Sequence, residues 1–534
     1  MDPERHIKGY VASRGYAAGP IYLLQGEAAP SGMPVGSPAE EAGKLHAALE
    51  AAGAELCRLM EELQDEAASG MVEFQVAMLE DEELYGPALA AIENGAPAHQ
   101  AWRDCMDSAI EDYRSSDDSY FAERASDLTD MRDRVLRVLA GIRETAIPPG
   151  SVVVARDITP TRFLTTDWSG CGIALYGGSP SAHVAILARA RAVPMIVGLQ
   201  RTDAALSGEA LLDAEAGCLV VSPGPETLRR FENDRRGALA QAEKDRAYLD
   251  KPAVTAAGEA VKIYINCAGP DDLAGLNPAH CDGIGLVRTE FLFENGKALP
   301  SEEKQYADYR MIVEWAGGRP VTLRTLDAGG DKPIEGVTID GESNPFLGVR
   351  GVRLSLMDPP FYKRQLRAML RASAHGPVKI MVPMVTAPSE MRSVREMLDE
   401  ARDEVVKAGQ AIGSYELGMM VEVPAAAISI EEFDCDFYSI GSNDLVQYVT
   451  ASGRDNPALS NLARPDAPAV LALIRKVAQF GRSTGREVSV CGDMAGEPLF
   501  VPHLLDCGIR ALSMAPTALA RIKGVVARYG EAKA

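Results

Sequence analysis

No stretch of this 534-residue chain reaches the ~18 consecutive apolar residues that a membrane-spanning helix needs. The N-terminus, MDPERHIKGY, is polar and lacks the apolar segment of a secretory signal. A cytoplasmic location without membrane insertion is the resulting expectation. The nine cysteines include no C-x-x-C pair, and their number is odd. That argues against a disulfide framework and against a cysteine-held zinc site. Positive charge is also short: 54 Lys and Arg face 76 Asp and Glu, for a formal net charge of −22. Such a surface repels nucleic acid over most of its area. Clustered arginines therefore point to an anionic ligand drawn in locally. Histidine is rarer still, with seven in the chain.

What is present is a globular composition, 46% hydrophobic and 24% charged. The length implies two to four domains. Residues 1–25 read as short strands with glycine turns. From Pro38 to about Ile142 the pattern is Ala, Leu and Glu at helical period, as in EEAGKLHAALEAAGAELCRLMEELQDEAASG. Strand signals resume at VVVARDI, GCGIALYGG, VPMIVGL and EALLDAEAGCLVVSP. The simplest reading is a compact α/β domain, residues 1–30 and 145–225, with an all-helical insert at 31–144. The charged segment 226–252 reads as a helical linker.

From 253 to 534 strand-like and helix-like segments alternate. Eight strand candidates are VKIYINC (261–267), GIGLV (283–287), VTLRTLD (321–327), VRGVRLS (349–355), VKIMVPM (378–384), LGMMVEV (417–423), DFYSIG (436–441) and EVSVCG (487–492). Eight βα units in ~280 residues match a closed (β/α)8 TIM barrel, with an open doubly wound sheet as the alternative. The fold class expected is thus multidomain α/β.

A barrel places its active site at the C-terminal ends of its strands. On this count Arg288, Arg324 with Asp327, Arg350 with Arg353, Glu422, Asn443 with Asp444, and Cys491 all fall at that end, on six strands. Any one arginine there competes with a plain ion pair; the set does not. Arginine recognises phosphate and carboxylate through paired donors. Glu422 and Asp444 offer the oxygen ligands Mg2+ prefers alongside water and substrate phosphate. Asn443 can orient an anionic oxygen.

In YGGSPSAHVAILARARAVPMIVG (176–198) His183 opens an apolar helical pattern after a Gly-Gly pair. Ser181 is placed to cap that helix, and a helix N-terminus stabilises an added anion. A neutral imidazole there is a competent nucleophile, and phosphohistidine is the product this setting favours.

These residues carry a family resemblance. GIGLVRTEFLF (283–293), RTLDAGGDK (324–332), NPFLGVRGVR (344–353), VEVPAA (421–426), FYSIGSNDLVQY (437–448) and CGDMAG (491–496) resemble the motifs of phosphoenolpyruvate–protein phosphotransferases, the Enzyme I family of the bacterial sugar phosphotransferase system. The resemblance spans nearly the whole chain. It implies a phosphohistidine swivelling domain, a helical docking subdomain for the carrier protein HPr at 31–144, and a phosphoenolpyruvate-binding barrel that forms a homodimer. By residue it implies His183 as phospho-acceptor and Arg288, Arg324, Asn443, Asp444 and Arg454 as phosphoenolpyruvate ligands. It makes Glu422 and Asp444 the Mg2+ ligands and Cys491 the acid that protonates the enolate. The linker would serve as hinge region, since one histidine must meet two partners. This chain departs from the family in Gly-Gly-Ser-Pro-Ser-Ala-His, one residue longer than usual, in Asp493 where Glu is common, in Gly453 where Asp is common, and in an early C-terminus.

The function implied is transfer of phosphate from phosphoenolpyruvate to His183, with release of pyruvate, and then to a histidine of HPr. A regulatory-branch enzyme acting on a paralogous carrier is the alternative. A phosphoenolpyruvate synthase or dikinase would need a separate nucleotide-binding domain, and no P-loop is visible. A non-catalytic scaffold would have lost the nucleophile or the arginines, and these are retained.

Overall fold

The structure, a computed structural model, describes residues 3–24, 36–62, 72, 75–115, 119–141, 146–178, 183–200, 206–293, 299–330, 334, 337–339, 341–453, 459 and 461–531. Arg454 and Ser181 lie outside the described residues. The chain divides into two compact units, Met1–Ala238 and Leu239–Ala534.

In the first unit, strands β1 (Arg5–Lys8), β2 (Tyr10–Ser13) and β3 (Tyr16–Leu24) join β4 (Val152–Ala155), β5 (Gly172–Leu175), β6 (Met195–Val197), β7 (Glu209–Asp213) and β8 (Cys218–Val221). They form one sheet in the order β1-β8-β7-β3-β4-β5-β6-β2. β3 to β6 run parallel, which explains why VVVA and GIAL are apolar without alternation: they are buried on both faces. β7 and β8 are a hairpin. Asp213 closes its turn by accepting from the N–H groups of Glu215 and Ala216, and Gly217 supplies the left-handed residue at φ 63°.

Between β3 and β4 lie the helices Pro38–Glu62, Glu82–Glu93, Ala98–Ser115 and Ser119–Leu139, with residues 75–79 also helical. They enclose their own core around the fully buried Trp102, with Leu45, Leu56, Ile92 and Met131. A polar contact ties this block to the α/β sheet. Buried Asp130 accepts from Thr159 Oγ1 at 2.9 Å and from Thr161 Oγ1, and Arg134 donates to Thr161 and to Glu55. The 22-residue helix Pro225–Arg246 follows β8.

The second unit is a closed barrel of eight parallel strands: β9 (Lys262–Cys267), β10 (Ile284–Val287), β11 (Val321–Arg324), β12 (Val378–Val382), β13 (Tyr415–Val421), β14 (Phe437–Ile440), β15 (Glu487–Val490) and β16 (Ala511–Met514). β16 pairs with β9 to close it. The expected strand at 349–355 is absent from this set; Val352–Met357 is a helical turn. The alternation in VRGVRLS is misleading because its arginines pin the connection after β11 through polar contacts. Arg350 grips Asp327, and Arg353 donates to the carbonyls of Leu347 and Gly348. The eighth strand is instead ALSM at 511–514, four buried residues too short and too even in character to show a period.

Packing inside the barrel is tight. At Gly285, on β10, an added Cβ would meet Ser513 Oγ, Ser513 Cβ at 2.7 Å and Tyr264 Cβ at 2.8 Å. Gly285→Ala is expected to destabilise the protein by about 1–3 kcal/mol, the usual cost of overpacking. Urea unfolding checks this, and an unchanged midpoint would count against the tight packing described. Below the mouth, Leu286, Met381, Met420, Phe437 and Cys491 form an apolar layer.

Candidate active site

The barrel brings a set of charged side chains to the C-terminal ends of its strands. Parallel alignment forces this: each strand hands the chain to the same rim, so residues just past β10, β11, β13, β14 and β15 share it. Arg288 follows β10, Arg324 ends β11, Glu422 follows β13, Asn443 and Asp444 start the helix Ser442–Thr450 after β14, and Cys491 follows β15. Five strands therefore supply the set, not six. Arg350 and Arg353 belong to the connection between β11 and β12, Arg350 just before the short helix Val352–Met357 and Arg353 within it.

A buried ion network organises the rim. Arg324 donates to Glu290 at 3.0 Å and pairs with Asp327 at 3.1 Å. Arg350 grips Asp327 through two bonds of 3.1 and 2.9 Å and reaches Asp444 at 3.4 Å. Burial works against the charge on both arginines, but the surrounding carboxylates outweigh it and keep both protonated well above any physiological pH. Arg324 Nε is buried and has no hydrogen-bond partner among the described residues. Arg288, by contrast, is exposed, and its guanidinium has no hydrogen bond among the described residues.

Glu422 is 1% exposed. Its Oε1 accepts from the N–H of Met384 at 2.6 Å. Burial, with Asp444 and Asp327 nearby, pushes its pKa up to about 8 against the pull of Arg324 and Arg350. Glu290, Asp327, Glu422 and Asp444 are four buried carboxylates; Arg324 and Arg350 are two buried guanidiniums. With Glu422 ionised the carboxylates exceed the guanidiniums by two charges, which a divalent cation would balance, and the all-oxygen donors suit a hard one. Among the described residues no group of three or more His, Cys, Asp or Glu side chains is placed to hold a metal by itself. Glu422 and Asp444, whose carboxylates act on each other electrostatically, offer oxygen donors of the kind a divalent cation takes together with water and substrate oxygens.

Cys491 is 3% exposed, and burial raises its thiol to about 11, against a hydrogen bond from Ser439. Its sulfur donates to the carbonyl of Ile440 at 3.6 Å. It is therefore a protonated thiol at neutral pH. Arg324, Arg288 and Glu422 all act on it electrostatically. Asn443 is held by Asp493. His183 is the first residue of the helix His183–Ala190 in the first unit.

In the sequence Glu290, Asp327 and Arg350 stand at the strand ends without an assigned binding, metal or catalytic role, and Tyr448 is not singled out. Tyr448 donates to the Phe346 carbonyl at 2.5 Å and lies 3.5 Å from Arg350. One signal was available for it: Tyr448 stands four residues after Asp444 on one helix, hence on the same face.

Comparison with known proteins agrees with this organisation. Residues 242–530 match the family described as PEP-utilising enzyme, PEP-binding domain. Residues 8–124 match its N-terminal domain and residues 147–217 its mobile domain. A phosphoenolpyruvate-protein phosphotransferase of Geobacillus stearothermophilus is 35% identical over 97% of this chain and 92% of its own length. Those of Listeria monocytogenes and Bacillus subtilis are 33% and 32% identical, each over 99% of this chain and 95% of theirs. With three domain matches and full-length relatives at this identity, the chain belongs to the phosphoenolpyruvate–protein phosphotransferase family of PEP-utilising enzymes.

Proposed function

We propose that this enzyme transfers the phosphoryl group of phosphoenolpyruvate to its own His183, releases pyruvate, and passes the group to a histidine of a phosphocarrier protein, HPr. The observation that carries the reading is the buried network of arginines and carboxylates at the barrel rim beside a protonated thiol. It matches a small substrate with a phosphate, a carboxylate and a carbon to be protonated.

In the reaction the bond between phosphorus and the enol oxygen breaks and a bond to a ring nitrogen of His183 forms. The enolate left behind takes a proton at its methylene carbon from Cys491, giving pyruvate and a thiolate. Arg288 and Arg324, with Arg454, orient the substrate and offset charge on the moving phosphoryl group, the main protein contribution to such transfers. Asn443 adds a hydrogen bond. Glu422 and Asp444 hold Mg2+, which neutralises phosphate charge when bound. The helical block 31–144 is the HPr docking surface, residues 1–30 with 145–225 the phosphohistidine domain, and 226–252 the linker to the barrel, 253–534. The barrel forms a homodimer. No helix among the described residues is long and apolar enough to cross a membrane.

Incubation with phosphoenolpyruvate and Mg2+, followed by peptide mass spectrometry at alkaline pH, tests the reading. One phosphoryl group on the peptide containing His183 is expected. A chain that stays unmodified, or is modified elsewhere, would sink it. Cys491→Ala is expected to slow pyruvate formation by about 100-fold, the low end for a lost general acid, because solvent can still protonate an enolate. Stopped-flow pyruvate detection reads this; an unchanged rate would remove Cys491 from the mechanism.

A further inference from the structure

Asp493 has no role in the reaction described so far, yet its bonds are specific. Its Oδ2 accepts from Asn443 Nδ2 at 3.1 Å, and its backbone N–H donates to Asn443 Oδ1 at 3.0 Å. These two bonds are reciprocal, so the amide of Asn443 has one orientation. Turning it over would set its NH2 against a backbone N–H and its oxygen against a carboxylate, two repulsions in place of two bonds. Ser442 Oγ adds a contact of 3.5 Å to Asn443 Oδ1. The oxygen of Asn443 is thereby engaged, and one N–H remains for another acceptor.

The same bonds join two rim segments. Cys491 donates its N–H to the Ile440 carbonyl at 3.0 Å, so the turn after β15 is held against the end of β14 at both Cys491 and Asp493. Gly492 makes that approach possible. A Cβ there would run into Ser442 Oγ and lie 2.8 Å from Asn443 Oδ1 and 2.9 Å from the Ser442 nitrogen. The pair Asn443–Asp493 spans 50 residues of sequence, so it is a tertiary tie and not a local turn.

We infer that Asp493 is a positioning residue. It fixes Asn443 as a hydrogen-bond donor toward an anionic substrate and sets the spacing between Asn443 and Cys491. The inference rests on the reading that Asn443 binds phosphoenolpyruvate. A side chain acting only through Asn443 should change substrate capture more than the chemical step.

Single-turnover phosphorylation of the full chain, measured against phosphoenolpyruvate concentration with Mg2+, is the test. Asp493→Ala is expected to raise the half-saturating concentration about 5-fold, the scale of one lost partly exposed hydrogen bond. The maximal rate should stay within about two-fold. Asp493→Glu, which keeps the carboxylate, should restore most of the loss. In an Asn443→Ala background, Asp493→Ala should add nothing. Should Asp493→Ala fail to fold, Asp493→Asn replaces it, with a smaller shift in the same direction. Unmoved half-saturation, or an effect that persists in the Asn443→Ala background, would overturn the positioning role alone. A wild-type chain that is never phosphorylated would overturn the functional reading, and this inference with it.

Discussion

His183→Ala is expected to abolish phosphorylation of the chain and of its carrier, a loss of at least ~10^4-fold, while the protein stays folded. The size follows from the chemistry. Removing the nucleophile leaves no atom to accept the phosphoryl group, and catalysis through a covalent intermediate has no partial substitute. Retention of the fold follows from the local packing. The helix His183–Ala190 is anchored by Val184, Ala185 and Ala188, which are buried in the same core as Val153, Ile173 and Met195. Alanine at a first helical position keeps those anchors and has good helix propensity. Four of the other histidines are already engaged. His6 is bonded to Glu4, His46 to the Ala42 carbonyl, His280 pairs with Asp250, and His375 sits between Tyr306 and Glu314. Phosphoenolpyruvate should still bind the variant with nearly unchanged affinity, because the proposed substrate ligands are all barrel residues. Calorimetry for binding and mass spectrometry for transfer separate the two. A His183→Ala chain that still becomes phosphorylated would place the acceptor elsewhere.

How far the sequence carried depends on whether a feature is local. The strands VVVA and GIAL and the helix opening at His183 are each set by a few consecutive residues, and each is legible; EALLDAEAGCLVVSP reads only as a strand signal, and the structure splits it into the hairpin of β7 and β8. The barrel was legible as a class, because eight repeats of one pattern outweigh an error in one. Its strands were not all legible. Arg350 and Arg353 gave 349–355 a false alternation, and the reason they are there is contact with Asp327 and with loop carbonyls. ALSM was passed over because four buried residues show no period.

The site divides in the same way. Its arginines and carboxylates were visible because chemically active side chains at successive strand ends are a pattern in one dimension. The network joining them was not. Arg324 meets Glu290 across 34 residues, and Arg350 meets Asp444 across 94. Such partners are chosen by closure of the barrel, which no local window contains. This is why Glu290, Asp327 and Arg350 read as further candidates in the sequence and become one charge-coupled unit in the fold. It is also why Asp493, marked in sequence only as an unusual acid, acquires a partner in three dimensions.

Glu422→Gln is expected to move activity and stability in opposite directions. Glu422 is buried, and burial with Asp444 and Asp327 raises it from an ordinary 4.5 to about 8. Its folded form therefore holds a proton that the unfolded chain has already lost between those two values. In that window the native state binds more protons than the unfolded state, so stability falls as pH rises. The contribution is complete below about pH 4.5 and is lost as pH passes through about 8. Glutamine has nothing to ionise, and its oxygen can still accept from the Met384 N–H. Without metal at pH 8, the variant should be more stable than wild type by about 1–2 kcal/mol. Adding Mg2+ should then stabilise the wild type and not the variant, since a cation bound only by the native state raises its apparent stability. Activity should fall by ~10^3-fold or more, because loss of a charge-neutralising ligand at the phosphoryl group removes several kcal/mol of transition-state stabilisation. Urea unfolding at pH 5 and pH 8, each with and without Mg2+, gives the stability half of the test, and pyruvate formation gives the other. Parallel pH dependence in the two proteins would mean that Glu422 is not the strained carboxylate its surroundings imply. Full activity in the variant would mean that it is not a ligand of the cation. A gain of stability paired with a loss of activity is what a site built around missing positive charge requires: the carboxylate is costly until the cation and substrate arrive, and it is that cost which binding them removes.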